Sequence, residues 1–171
     1  MDFEKQLKPI YEDLVRFSWS LSGSKSDGDD LLQESLLKAW KAYAKLREPD
    51  RFKSWMMIII SNTHRSIYRK TWWKRLVGLD AVAEIASPQK LDYSEKEIIH
   101  WALKKLSPVQ REAVVLFEVM GMTVNEIADH QKVTQSAVKS RLARGRQNLR
   151  EHYEALSNSG AEYGTRITQV S

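Results

Sequence analysis

No cysteine occurs in this sequence of 171 residues, which excludes a disulfide framework and any thiolate metal site. Glycine and proline are scarce, at 7 and 4 residues, so long helices are favoured over a turn-rich β architecture. Long apolar runs are missing too. The most apolar stretch, Trp55 to Ile60, falls far short of the roughly 20 residues that span a bilayer. The first residues, Met1-Asp2-Phe3-Glu4-Lys5, lack the apolar centre of a secretory leader. These absences point to a soluble, cytoplasmic protein without membrane insertion. His64, His100, His130 and His152 are scattered without metal-ligand spacing, and neither metal nor cofactor is expected.

What is present is helical period and positive charge. The formal net charge is +5 and the pI is near 9.4, an excess that favours polyanionic partners where it is clustered. Leu7, Ile10, Tyr11, Leu14, Phe17 and Leu21 recur at helical steps, and a break follows from Gly23 to Gly28. A second helix carries Leu32, Leu36, Ala39, Trp40 and Tyr43 on one side, and a third runs from about Phe52 to Lys70. The period fades from Thr71 to Asp92 and resumes near Ser94. Ser107-Pro108-Val109-Gln110 reads as a helix start, with Ser107 at the N-cap and Gln110 completing a capping box. That helix is expected to bury Val109, Ala113, Leu116, Phe117 and Met120 and to end at Gly121.

Thr123-Val124-Asn125-Glu126 is a second capping box, and Thr134 is a good N-cap for the helix after it. Two capped helices at this spacing make a helix-turn-helix. In the second of them Val138, Leu142, Gly145 and Leu149 form one narrow stripe that must face the core. Gly145 lowers helix propensity by about 1 kcal/mol relative to alanine, so a close helix approach is its expected reason. The opposite face offers Gln135, Ser136, Lys139, Ser140, Ala143, Arg144 and Gln147. Small side chains let a helix sink into the major groove, and Arg and Gln donate to base edges. Arg146 and Arg150 suit phosphate contacts.

Two surfaces of the N-terminal half are left over by core packing. Asp30, Gln33, Glu34 and Leu37 form an acidic face with an outward leucine, suited to a basic protein partner. Phe52, Lys53, Trp55, Asn62, Arg65 and Arg69 mix rings and cations, as single-stranded DNA requires. Phe52 and Trp55 fit equally well as core residues.

The segment from Asp27 to Trp40, DGDDLLQESLLKAW, closely resembles the second conserved region of bacterial RNA polymerase sigma factors of the extracytoplasmic-function (ECF) group, as does Phe52-Lys53-Ser54-Trp55 followed by Asn62. Leu106-Ser107-Pro108-Val109-Gln110-Arg111-Glu112 and Val138-Lys139-Ser140-Arg141-Leu142-Ala143-Arg144 resemble the fourth region. The resemblance implies an all-α chain of two small helical domains joined by a flexible linker, the C-terminal one holding the helix-turn-helix. The boundaries would be 1–71 for the region-2 domain, 72–93 for the linker, 94–156 for the region-4 domain, and 157–171 for a disordered tail.

It also implies core RNA polymerase as a partner at the Asp30, Gln33, Glu34 face. Promoter DNA would be held both as −35 duplex, at Lys139, Ser140, Ala143 and Arg144, and as a melted −10 strand, between the loop before Phe52 and Asn62. An anti-sigma factor is a further implied partner, and no enzymatic activity is implied. The sequence departs from the family at Gln131 and Lys132, where an apolar residue and a glycine are usual, and at Ile58, which replaces a basic residue. Trp72 and Trp73 lie beyond the matched motifs, and burial against the protein's own core is their expected place. One other reading stays open, a stand-alone helix-turn-helix regulator acting as a dimer; a nuclease holding Mg²⁺ at Asp29, Asp30 and Glu34 would need a second carboxylate cluster or a base, and none is apparent.

Overall fold

The computed structural model describes residues 2–77 and 94–167, with side chains as far as Leu156 apart from that of Arg75. Every regular element among them is helical, and the chain is all-α. The N-terminal lobe holds α1 (Phe3–Leu7), α2 (Tyr11–Ser22), α3 (Lys25–Ala42) and α4 (Phe52–Leu76). The C-terminal lobe holds α5 (Glu95–Lys105), α6 (Pro108–Val114), α7 (Val124–Gln131) and α8 (Gln135–Ile167).

The first apolar stripe is split between α1 and α2 by a 3₁₀ turn, Lys8–Ile10, because Pro9 supplies no N–H to a continuous helix. Gly23 ends α2 in the left-handed conformation, at φ 74°. The break is shorter than the glycine spacing suggests, since α3 starts at Lys25, with Ser24 accepting from the Asp27 N–H at 3.1 Å. Gly28 lies inside α3, where a Cβ would sit 2.7 Å from the Trp19 Cα. Its absence lets α2 and α3 touch backbone to backbone.

Several sequence expectations are corrected. Trp40 does not join the buried stripe of α3. It is 62% exposed and meets Phe3 edge to face. Ser107 makes no side-chain cap at α6, and Gln110 instead accepts from Asn148 on α8 at 3.3 Å. The helix from Pro108 is not uniform: α6 passes into a π-helical turn at Val115–Val119. One wider turn rotates the residues before it relative to those after it. Val109 faces out, at 37% exposure, while Arg111, Glu112, Val114 and Val115 are buried where α6 packs on α2, α4 and α8.

Helix α4 runs past 71 to Leu76. The rest of the expected linker, 78–93, lies outside the described residues. No proline interrupts the chain between Arg150 and Ile167, and the backbone of α8 stays helical through most of the segment read as a disordered tail.

The lobes are docked. Helix α2 packs on α5, α6 and the π turn, and α4 packs on α6. One apolar cluster runs through both, from Leu14, Phe17 and Leu21 to Leu103, Leu116 and Val138. Gly23 belongs to this seam, because a Cβ there would stand 2.9 Å from the Lys104 Cβ.

Candidate nucleic-acid interface

The helix-turn-helix is built as its caps direct. Thr123 starts α7, donating its N–H to Glu126 Oε2 at 2.7 Å and accepting from the Glu126 N–H at 3.3 Å. The Thr123 N–H and the Thr123 hydroxyl, which also donates to Oε2 at 2.7 Å, hold the Glu126 carboxyl below its ordinary pKa. Thr134 accepts from the Ala137 N–H at 3.2 Å and opens α8. Between them the unusual turn has a specific solution. Lys132 takes the left-handed conformation that a glycine would take, with φ 54°. Gln131 is buried, and its amide is satisfied on both sides, donating to Val109 O at 3.3 Å and accepting from Arg141 at 2.8 Å. A buried polar group with both partners in place avoids the penalty of an unpaired one.

On α8, Val138, Leu142 and Gly145 are buried and Leu149 half-buried. A Cβ on Gly145 would meet the Val114 side chain at 2.7 Å, so the glycine does permit a close crossing of α6. The seven residues of the opposite face, Gln135, Ser136, Lys139, Ser140, Ala143, Arg144 and Gln147, are all exposed. Gln135 also braces α7 by donating to Asn125 at 3.0 Å. Arg146 is less free for phosphate than its charge suggests: it pairs with Glu118 at 2.6 Å and lies over the Phe117 ring.

In the N-terminal lobe, Asp30, Gln33, Glu34 and Leu37 are exposed along α3, Leu37 at 63%. Glu34 pairs with Lys38 at 2.6 Å, and Lys38 in turn donates to Thr63 on α4. The strand-binding candidates divide. Phe52 is buried, meeting Phe3 and Tyr43 edge to face with Trp55 tilted beside it, so it anchors the start of α4. Trp55 is half-buried, while Lys53 is exposed and pairs with Asp13 at 2.6 Å. That pairing holds the Asp13 carboxyl below its usual value. Asn62 and Arg69 are exposed, and Arg65 donates to Asn62 Oδ1 at 3.0 Å. Asn62, Arg65 and Arg69 follow one another at helical spacing on one face.

Sequence-family models match the chain twice, as sigma-70 region 2 over residues 8–74 and sigma-70 region 4 over residues 96–149. An ECF RNA polymerase sigma factor, EcfG of Rhodopseudomonas palustris, is 33% identical over 80% of this chain and 76% of its own length. The chain belongs to the ECF group of sigma factors. SigE of Mycolicibacterium smegmatis, also an ECF sigma factor, is 29% identical over 90% of this chain. The chain spans 65% of the length of that SigE and 48% of the SigG of Mycobacterium tuberculosis. Among solved structures, the sigma factor RpoE of Bartonella quintana, in complex with the anti-sigma factor NepR, superposes with a TM-score of 0.69 and 28% identity. That match covers 90% of this chain and 97% of RpoE. CnrH, in complex with the cytosolic domain of CnrY, gives 0.63 and 27%, covering 90% of this sigma factor and 88% of CnrH.

The residues that sequence reasoning missed in this sigma factor lie between the lobes. Arg111, 3% exposed, donates to Leu21 O and Lys104 O, each at 2.6 Å, and to Leu106 O at 3.2 Å. Burial lowers its pKa to about 10, which leaves it charged at neutral pH. Glu112 meets His130 Nε2 at 3.1 Å, and the same ring nitrogen lies 3.0 Å from the Ser61 hydroxyl of α4. Arg65 approaches Glu112 at 3.9 Å. Burial pushes the Glu112 carboxyl up, but the bonds from His130 and Ser61 and the Arg65 charge hold it below its ordinary value. His64 is driven down to about 4, first by burial and then by the Arg111 charge. Ser61 and Arg65 flank Asn62, so α4 is tied directly to the C-terminal lobe. Among the described residues no cluster of three or more His, Cys, Asp or Glu could hold a metal ion, and no helix is long and apolar enough to cross a membrane.

Proposed function

We propose that this chain acts as an alternative sigma subunit that brings core RNA polymerase to promoters and opens them without hydrolysing nucleotides. The observation that carries the reading is the exposed acidic and apolar face of α3, with Asp30, Gln33, Glu34, Leu37 and the neighbouring Trp40 all open. A stand-alone helix-turn-helix regulator gives that face no role, whereas a sigma factor docks polymerase there. The exposed face of α8 would read the −35 duplex, and Lys53, Trp55, Asn62, Arg65 and Arg69 would hold the −10 strand. Capture of bases outside the stack offsets the few kcal/mol of unpairing and unstacking.

The docked lobes add a requirement. A compact chain of this length has a radius of gyration of about 16 Å. The roughly 25 base pairs between −35 and −10 elements extend about 85 Å at 3.4 Å per step. The seam formed by Arg111 and Glu112 therefore opens when both elements are held at once, and a partner that grips both lobes would keep the factor silent. An anti-sigma protein is the partner of that kind, and a cytoplasmic location follows from polymerase binding.

The test is initiation on a promoter library with purified core polymerase. Binding to core polymerase at low salt and promoter-specific transcripts are expected, and failure to bind overturns the reading. Arg144→Ala should cost about 1–3 kcal/mol in −35 discrimination, the worth of a base contact, with polymerase binding unchanged by gel shift.

A further inference from the structure

The second half of α4 carries a surface that the proposed promoter contacts leave unused. Trp72 and Trp73 are not buried, as the sequence suggested. They are 53% and 58% exposed, and Leu76 is 62% exposed. Arg69, Lys70, Trp73 and Lys74 line an open groove there. No acidic residue occurs between Asp50 and Asp80, so the exposed Arg69, Lys70 and Lys74 have no carboxylate of their own helix to neutralise them. A solvent-exposed indole bracketed by cations suits an aromatic polyanion better than a protein surface, because the ring offers a stacking plane and the ammonium groups match phosphate.

Register narrows the occupant further. Trp73 lies eleven positions after Asn62, which is close to three whole turns and leaves the two side chains about 20° apart around the axis. The line Asn62, Arg65, Arg69, Trp73 is thus one continuous face about 16 Å long. It starts at the residue assigned to the −10 strand and ends on an indole. A strand held at Asn62 reaches Trp73 within about five nucleotide steps at the 3.4 Å stacked spacing.

We infer that Trp73, flanked by Arg69, Lys70 and Lys74, is a stacking platform for an unpaired base of promoter DNA a few nucleotides from the one held at Asn62. The inference rests on the proposed placement of the melted strand along α4. Trp73 grips by its ring plane and reads no base edge, so every base satisfies it, and it lengthens the hold on the open strand.

The test uses the full chain and fluorescein-labelled decathymidylate, with binding followed by anisotropy. Trp73→Leu should weaken binding about five-fold or more, the low end of what one stacked base is worth, and Trp73→Phe should restore most of it. A chain of abasic deoxyribose phosphates of equal length should bind both forms alike. Lys70→Gln with Lys74→Gln should weaken both probes and lower the salt slope by about 0.7 per lost phosphate contact. Unchanged decathymidylate binding by Trp73→Leu overturns the platform and leaves the indole to a protein partner or to residues 78–93. Equal losses on the abasic chain or on duplex overturn it as well. Core-polymerase binding by the same variants is measured separately. Its loss in the unaltered protein would reject the sigma reading, whereas its retention beside an inert Trp73 rejects only the platform.

Discussion

The two longest helices, α4 and α8, are both basic and both assigned to promoter DNA, yet they expose opposite kinds of side chain. The open face of α8 begins with Ser136, Ser140 and Ala143 and reaches bulk only at Arg144 and Gln147. The open half of α4 exposes Tyr68, Trp72 and Trp73. Small residues allow a helix to enter a groove of fixed width, and rings serve where bases have left the stack. The helices are also anchored differently. Helix α8 is held chiefly by an apolar stripe and the glycine crossing at Gly145, whereas α4 meets the other lobe through Ser61 against His130 and Arg65 against Glu112. The first anchor is chiefly apolar, and the second is polar.

The largest expected effect tests that second anchor. Glu112→Ala removes a buried carboxylate and strands its partners, and should destabilise the protein by about 3–5 kcal/mol, read as a lower denaturation midpoint in urea. A change confined to within 1 kcal/mol would show that the seam is held by apolar contacts alone. The contrast in bulk is tested by Ala143→Trp. It should cost about 2–3 kcal/mol in −35 binding, the worth of the base contact it displaces, at unchanged melting temperature. Undiminished duplex binding would mean that another face of α8 meets DNA.

The pH response is next. The folded pKa of His64 is about 4 against an ordinary 6.5, so the unfolded chain binds more protons across that window. Stability should therefore fall as pH drops from 6.5 toward 4, by about 2 kcal/mol between pH 7 and 5. Replacing His64 with Phe should flatten that part of the curve. The depressed Glu112 carboxyl acts in the same direction at lower pH: its contribution is present above the ordinary carboxylate range and is lost as pH falls through the folded value. The smallest effect belongs to the turn. Lys132→Gly relieves a left-handed lysine but frees the unfolded chain, so a net gain of at most about 1 kcal/mol is expected from thermal melts.

Much of this was legible before the fold was seen. The stripe Val138, Leu142, Gly145 and the face opposite it follow from helical period, and the Thr123 and Glu126 box follows from local hydrogen bonding, which depends on a few adjacent residues. The seam was not legible, for a physical reason. Arg111 and Glu112 stand beside each other at positions where charge ordinarily means solvent, and both are buried because α6 packs on α2, α4 and α8 at once. Their partners, Leu21 O, Ser61 and His130, are distant in sequence, and nothing in periodicity links them. The same limit explains Trp72 and Trp73: hydrophobicity suggests burial, but α4 outruns the lobe it packs on.

The docked seam also sets how tightly any partner of the open form binds. When a binding-competent state is only a fraction of the population, the apparent dissociation constant rises by the reciprocal of that fraction. If the Arg111 and Glu112 bonds favour the docked form by about 2 kcal/mol, only some 3% of molecules are open and polymerase affinity falls about thirty-fold. A substitution in the seam that leaves each lobe folded would then raise affinity for polymerase without touching a single polymerase contact. In the proposed scheme Arg111 and Glu112, which are assigned to neither DNA nor polymerase, would set that occupancy.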